Sequence, residues 1–137
     1  MIISFPGLGE LTGARVFAEI GDDRSRFADA RALKAFAGSS PVTKASGNSS
    51  SVSHRIVKND RLAAAGWLWA FIASTKSPGA QMHYRRRRDR GDRHPAALRH
   101  LFNRMLGQLC HCLQTGQLYN ETSAFPDAAD QPEPAAA

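Results

Sequence analysis

The run Pro6-Gly7-Leu8-Gly9, leading into Glu10-Leu11-Thr12-Gly13-Ala14-Arg15-Val16-Phe17-Ala18-Glu19-Ile20-Gly21, limits what this chain can fold into more than any other stretch. Two glycines around one apolar residue can take backbone angles that a side chain forbids. Small and apolar residues then recur at helical spacing, which predicts a helix over residues 11–20 stopped by Gly21. The pattern is that of the hairpin and second helix of a helix-hairpin-helix element. The bare N–H groups of Gly7, Gly9 and the first helical turn can meet a phosphate; the alternative use of such a turn is a tight connection between packed helices. A complete element needs a helix before the hairpin. Only five residues precede Pro6, so the element reads as partial, and the chain as starting where a larger protein is already under way.

Charge sharpens the reading. The chain of 137 residues carries a net charge of +6, and residues 83–104 hold eight arginines against Asp89 and Asp92, so this one segment supplies the whole imbalance. A pI of about 10.0 favours a polyanionic partner. Cys110 and Cys112 are the only cysteines; on a helix they stand about 200° apart, unable to bridge each other. With no basic n-region or cleavage site at the N-terminus, a reducing, cytoplasmic setting is expected, nucleoid-associated when bound. The longest apolar stretch, residues 62–73, is broken by Gly66 and too short to span a bilayer.

The rest of the chain predicts an all-α fold: the partial helix-hairpin-helix element, a serine-rich loop and a small helical bundle. A second helix is expected over residues 29–37, with Asp29 as N-cap and Gly38 at its end. Residues 39–53 carry Pro41, Gly47 and seven serines; they read as an exposed loop, with short extended pieces around Val42 and Val52. A third helix, residues 60–74 behind Asn59, is apolar nearly all round, as a central helix is, or one that expects a partner subunit. A short basic helix over residues 80–90 follows. In the last, Leu98, Leu101, Phe102, Met105, Leu106, Leu109 and Leu113 recur at three- and four-residue steps from Pro95 to Gly116. Residues 1–119 form the domain; residues 120–137, rich in Ala, Pro and Asp, read as a disordered tail.

Arg85, Arg86, Arg87 and Arg88 point to every side of a helix. They cannot share one salt-bridge pattern, and so are solvated or pinned to phosphates by forked contacts. Ser46-Gly47 is by itself an ordinary loop dipeptide: a free hydroxyl without a base is a poor nucleophile, and His54 is merely the nearest histidine in sequence. The five histidines show no metal-ligand spacing.

In order along the chain, Phe5-Pro6-Gly7-Leu8-Gly9, Ala18-Glu19-Ile20-Gly21-Asp22, Arg26-Phe27, Ala30-Arg31-Ala32-Leu33, Pro41-Val42-Thr43-Lys44, Ser46-Gly47, Lys58-Asn59, Arg86-Arg87-Arg88, Gly91-Asp92-Arg93-His94 and Asn103-Arg104 closely resemble the C-terminal domain of the "IS one-ten" family of insertion-sequence transposases, relatives of the pilin-gene invertases. The resemblance covers residues 2–120. It implies a DNA recombinase, in many members guided by a structured RNA. In that enzyme an N-terminal RNase H-like domain holds magnesium on four acidic residues, and a C-terminal serine attacks the DNA phosphodiester. Ser46 matches that serine, and Gly7, Gly9 and Arg85, Arg86, Arg87 and Arg88 would hold nucleic acid. The acidic domain is not among these 137 residues, so no cofactor is expected in this chain, self-association is expected, and catalysis by the chain alone is not. The alternatives are a non-enzymatic nucleic-acid-binding remnant and a helix-hairpin-helix module, the latter leaving Ser46-Gly47 and the last helices unexplained.

Overall fold

The computed structural model describes residues 2–23, 25–40, 42–46, 49–53 and 58–129, the two strands by their backbone. Seven helices and one strand pair follow in the order α1 (Glu10–Ile20), α2 (Ala30–Ala37), β1 (Val42–Ser46), β2 (Ser49–Ser53), α3 (Asp60–Lys76), α4 (Pro78–Asp89), α5 (His94–Thr115), α6 (Glu121–Ala124) and α7 (Pro126–Ala129). The all-α reading holds for the core, since every element packed in it is helical. Among the described residues no helix is long and apolar enough to cross a membrane.

The long helices α3 and α5 form the centre. α3 packs against α1, α2, α4 and α5, and α5 against α2, α3 and α4. Trp69 and Leu62 of α3 are fully buried with Leu98, Leu101, Met105, Leu106 and Leu109 of α5. The two helices close on each other because Gly66 faces the Phe102 ring: a Cβ there would stand 2.2 Å from the ring. The ends of the helices are set by local side-chain signals. Asp29 accepts from the Ala32 amide at 2.9 Å, and Asn59 from the Leu62 amide at 2.8 Å, each satisfying an orphan donor of a first turn. Arg26 donates to the carbonyls of Glu19 and Ile20 at the end of α1.

The turn before α1 is present, but a 3-10 turn, Ile2–Ser4, stands where a first helix would complete the element. Gly7 has φ +84° and lies on the backbone of α3, where a Cβ would come within 2.7 Å of the Trp69 carbonyl oxygen. Trp69 Nε1 donates to the Pro6 carbonyl at 2.9 Å, and Phe5 and Leu8 are buried on either side.

Two expectations are corrected. The serine-rich stretch is more than a loop: the extended pieces expected around Val42 and Val52 are present, and as β1 and β2 they pair antiparallel, with Val42 opposite Ser53 and Ser46 opposite Ser49. The tail is not disordered from residue 120. Glu121 accepts from Ser77 Oγ at 2.6 Å and from the Gly79 amide at 2.9 Å, fastening the segment to the first turn of α4. Phe125 is buried against Gly79, where a Cβ would meet its ring at 2.4 Å. Arg104 forks onto the Ala124 carbonyl at 2.9 and 3.1 Å and covers the Phe125 ring.

Candidate nucleic-acid interface

Ser46 is the last paired residue of β1. Each strand has five residues, so it stands about 14 Å from Val42 at the start of its strand, four steps at 3.4 Å per residue. Gly47 and His54 lie outside the described residues. The residues flanking the strand pair are tied to four helices. On the incoming side the buried Ser39 hydroxyl faces Asn103 Oδ1 of α5 at 3.0 Å and the Lys34 carbonyl of α2 at 3.3 Å. On the outgoing side the Asn59 amide donates to the Phe36 carbonyl at 2.8 Å. Its side chain caps α3 while donating to Glu19 Oε2 of α1 at 3.1 Å. Sequence reasoning saw Asn59 only as a cap and missed Ser39 and Asn103, whose meeting spans 64 positions.

The four consecutive arginines divide by the helix face each occupies. Arg87 points inward, its Nε 2.7 Å from Asp92 and its guanidinium 3.0 Å from His100 Nε2. Arg86 pairs with Asp127 at 3.1 Å, and Arg88 donates to the Asp92 carbonyl. Arg85 is exposed and, like Arg90 and Arg93, has no carboxylate within ion-pair distance among the described residues. The outward cations without a partner carboxylate among the described residues are thus Arg85, Arg88, Arg90 and Arg93, around the end of α4 and the start of α5, with Arg86 also exposed beside Asp127.

Arg87 has only donors, so His100 Nε2 accepts from it and the ring is neutral. Burial and then the Arg87 charge lower the His100 pKa, with Asp92 working in the opposite direction. His83 lies deeper in the same basic cluster. Burial first, then the Arg104 charge, with His100, Arg87 and Arg86 acting in the same direction, lower its pKa to about 4, and among the described residues its Nε2 is buried without a hydrogen-bond partner.

The glycine hairpin lies elsewhere. Gly7 touches Trp69 and Ala73 of α3, whereas the start of α5 meets α3 through His94 against Trp67 and Phe71. Trp67 and Trp69 are about 200° apart around the helix, so the hairpin and the basic end of α4 sit on opposite sides of α3. Gly7 is accounted for by its close approach to α3. Gly9, the N-cap of α1, has open space around it and no side-chain cap. Its first turn also carries the exposed Glu10, which competes with an incoming anion there.

The magnesium implied by the resemblance does not fit these residues. Among the described residues no three of His, Cys, Asp and Glu come together as a ligand set.

The strand pair, the basic helix end and the helical core can be set beside known proteins. A family model described as the transposase IS116/IS110/IS902 family matches residues 1–85. The chain belongs to this transposase family. It is similar to the mini-circle putative transposase for IS117 of Streptomyces coelicolor, with 66% identity over 125 residues, 91% of this chain and 30% of that protein. It is also similar to the insertion element IS900 uncharacterized 42 kDa protein of Mycobacterium paratuberculosis, with 35% identity over 121 residues, 88% of this chain and 30% of that protein. A third relative is the insertion element IS110 uncharacterized 43.6 kDa protein of Streptomyces coelicolor, 34% identical over 120 residues, 87% of this chain and 29% of that protein. The chain therefore spans about 30% of the length of the relatives it matches.

Proposed function

We propose that this chain is the DNA-engaging, serine-bearing C-terminal part of an IS116/IS110/IS902-family transposase, and that Ser46 is its nucleophile. The observation that carries the reading is the placing of the Ser46 backbone at the far end of a strand pair whose root is fastened to α1, α2, α3 and α5. A hydroxyl that attacks phosphorus must be held in register with its target, and the end of a paired strand holds the Ser46 backbone in that way.

In the assembled enzyme the Ser46 Oγ–phosphorus bond forms as the bond from phosphorus to the departing deoxyribose oxygen breaks. The serine proton passes to a base, and the departing oxygen takes up a proton. This chain's part is to present the hydroxyl and hold the backbone of the strand. Arg85, with Arg90 and Arg93, neutralises phosphates in this reading, and Arg86 and Arg88 join them from the exposed side of α4. Gly9 and the open first turn of α1 offer a second, weaker contact. The partners called for are DNA, a structured guide RNA and an RNase H-like domain whose acids hold magnesium. The exposed Leu11 and Phe17 on α1 are apolar surface for the assembled enzyme to cover.

The test joins this chain to the N-terminal domain of a family member, supplies magnesium, guide RNA and labelled target DNA, and resolves the products on a denaturing gel. A covalent protein–DNA adduct should form and be lost in Ser46→Ala, while DNA binding stays within about twofold, because one hydroxyl adds little to a phosphate-dominated interface. An adduct that survives Ser46→Ala, or that is lost instead with Ser49→Ala, assigns the chemistry to another residue. DNA binding with no adduct in the unsubstituted protein leaves a binding module without chemistry.

A further inference from the structure

Trp67 and Phe71 stand one turn apart on α3 and stack on each other, ring centres 5.7 Å apart and planes within 1°. They remain 46% and 42% exposed. Behind them His94 presents its edge to both rings at 6.3 and 6.4 Å. The His94 ring is in turn fixed by its Nδ1, which lies 2.7 Å from the Tyr84 hydroxyl. The pair is therefore a braced stack. Single exposed aromatics are ordinary, but two parallel, stacked rings held from behind are arranged to extend the stack by a third.

Trp67 is also one wall of a cleft of about 230 Å³, shared with Gly38, Lys58, Pro95, Leu98 and Arg99. The cleft is bounded at one end by the root of the strand pair, since Gly38 and Ser39 lead into β1 and Lys58 leads out of β2. At the other end it approaches the basic start of α5. Its lining holds two cations, Lys58 and Arg99, and no carboxylate; Lys58 also stands 3.7 Å from Asp60. A flat aromatic face beside a guanidinium and an ammonium is the chemistry that recognises a nucleobase joined to phosphate. The ring stacks, and the cations take the backbone charge.

We propose that this cleft receives one unstacked nucleobase, seated against Trp67, with Arg99 and Lys58 on the adjoining phosphate. The occupant is a base from a single-stranded, bulged or extruded nucleotide, in DNA or RNA. The site lies beside the root of the strand pair that bears Ser46 at its other end, so it would hold a locally opened strand on the same side of the molecule as that pair. The inference rests on the proposed nucleic-acid engagement of the chain and goes further, because phosphate contacts alone need no aromatic platform.

The experiment measures binding of the full chain to three labelled probes, each as DNA and as RNA: a fully paired duplex, the same duplex with one bulged nucleotide, and the single strand. Trp67→Ala should lower affinity for the bulged and single-stranded probes about 5- to 150-fold, the range for one stacked base, and leave the paired duplex unchanged. Trp67→Phe should keep most of the affinity. Arg99→Gln should reduce the salt dependence by about one counterion on the same probes, and it serves as the second variant if Trp67→Ala does not melt cooperatively. A loss confined to the DNA or the RNA set identifies the strand. Equal losses on all probes, or no loss with both variants, overturn the cleft proposal while the phosphate-binding reading stands. So does a Trp67→Ala protein whose only change is its oligomeric state, since that makes the rings a protein contact. If the unsubstituted chain binds none of the probes, both readings fall.

Discussion

His83 shows how the basic segment is built from the residue up. Its ring is set among Arg86, Arg87, Arg104 and His100, and its Nε2 has no partner in the bundle, so protonation there would bury a cation among cations. The fold accordingly favours the neutral ring, and the His83 pKa drops from 6.5 to about 4, with the His100 pKa moving in the same direction. Because these folded-state values are depressed, the unfolded chain binds more protons at mildly acidic pH. The stability that the neutral rings contribute is fully present above the unfolded value of 6.5 and is lost as pH falls towards 4. Thermal melts of the free chain should show Tm falling between neutral pH and roughly pH 5, and His83→Leu should flatten part of that fall. A Tm that is level over this range, or a slope unaltered by His83→Leu, would mean the ring is solvated. None of this was legible in the sequence, where His83 is one of five scattered histidines. What fixes its chemistry is burial in the bundle first, and then Arg104, twenty-one positions away on another helix.

At the scale of elements, the caps were readable because they are local: Asp29 and Asn59 each hydrogen-bond an amide three residues on. The strand pair was less so. Two residues, Gly47 and Asn48, separate Ser46 from Ser49, and Gly-Asn is a hairpin signal. The surrounding serines, poor in the branched and aromatic side chains of strands, hid it. Trp67 and Phe71 read as core because helical spacing reports how apolar a face is, not whether a neighbour covers it. The segment after Tyr119 looked empty for a different reason. Its anchors are few and remote: Phe125 meets Gly79, His83 and Arg104, and Glu121 completes the start of α4. Phe125→Ala should therefore destabilise the bundle by about 3 kcal/mol, as loss of a buried aromatic does, in urea denaturation of the full chain. An unchanged midpoint would show that α6 and α7 do not pack on α4 and α5.

Over the whole molecule, the charge visible in the sequence is real but unevenly available. The +6 of residues 83–104 is divided: Arg87 and Arg104 hold the bundle together, Arg86 meets Asp127, and Arg85, Arg88, Arg90 and Arg93 face outward. The cleft and the root of the strand pair join this basic end on one side of α3, with the glycine hairpin on the other. The central claim is that this side of the molecule engages nucleic acid through phosphate. Its most direct test is the salt dependence of duplex DNA binding by the unsubstituted chain and by the combined Arg85→Gln, Arg90→Gln, Arg93→Gln variant. Affinity of the unsubstituted chain should fall steeply with salt. The variant should bind more weakly by a similar factor on every sequence, with a log–log salt slope shallower by about 2 to 3, close to 0.9 for each lost contact. Binding that does not respond to salt, or a variant whose slope equals that of the unsubstituted chain, would contradict the account.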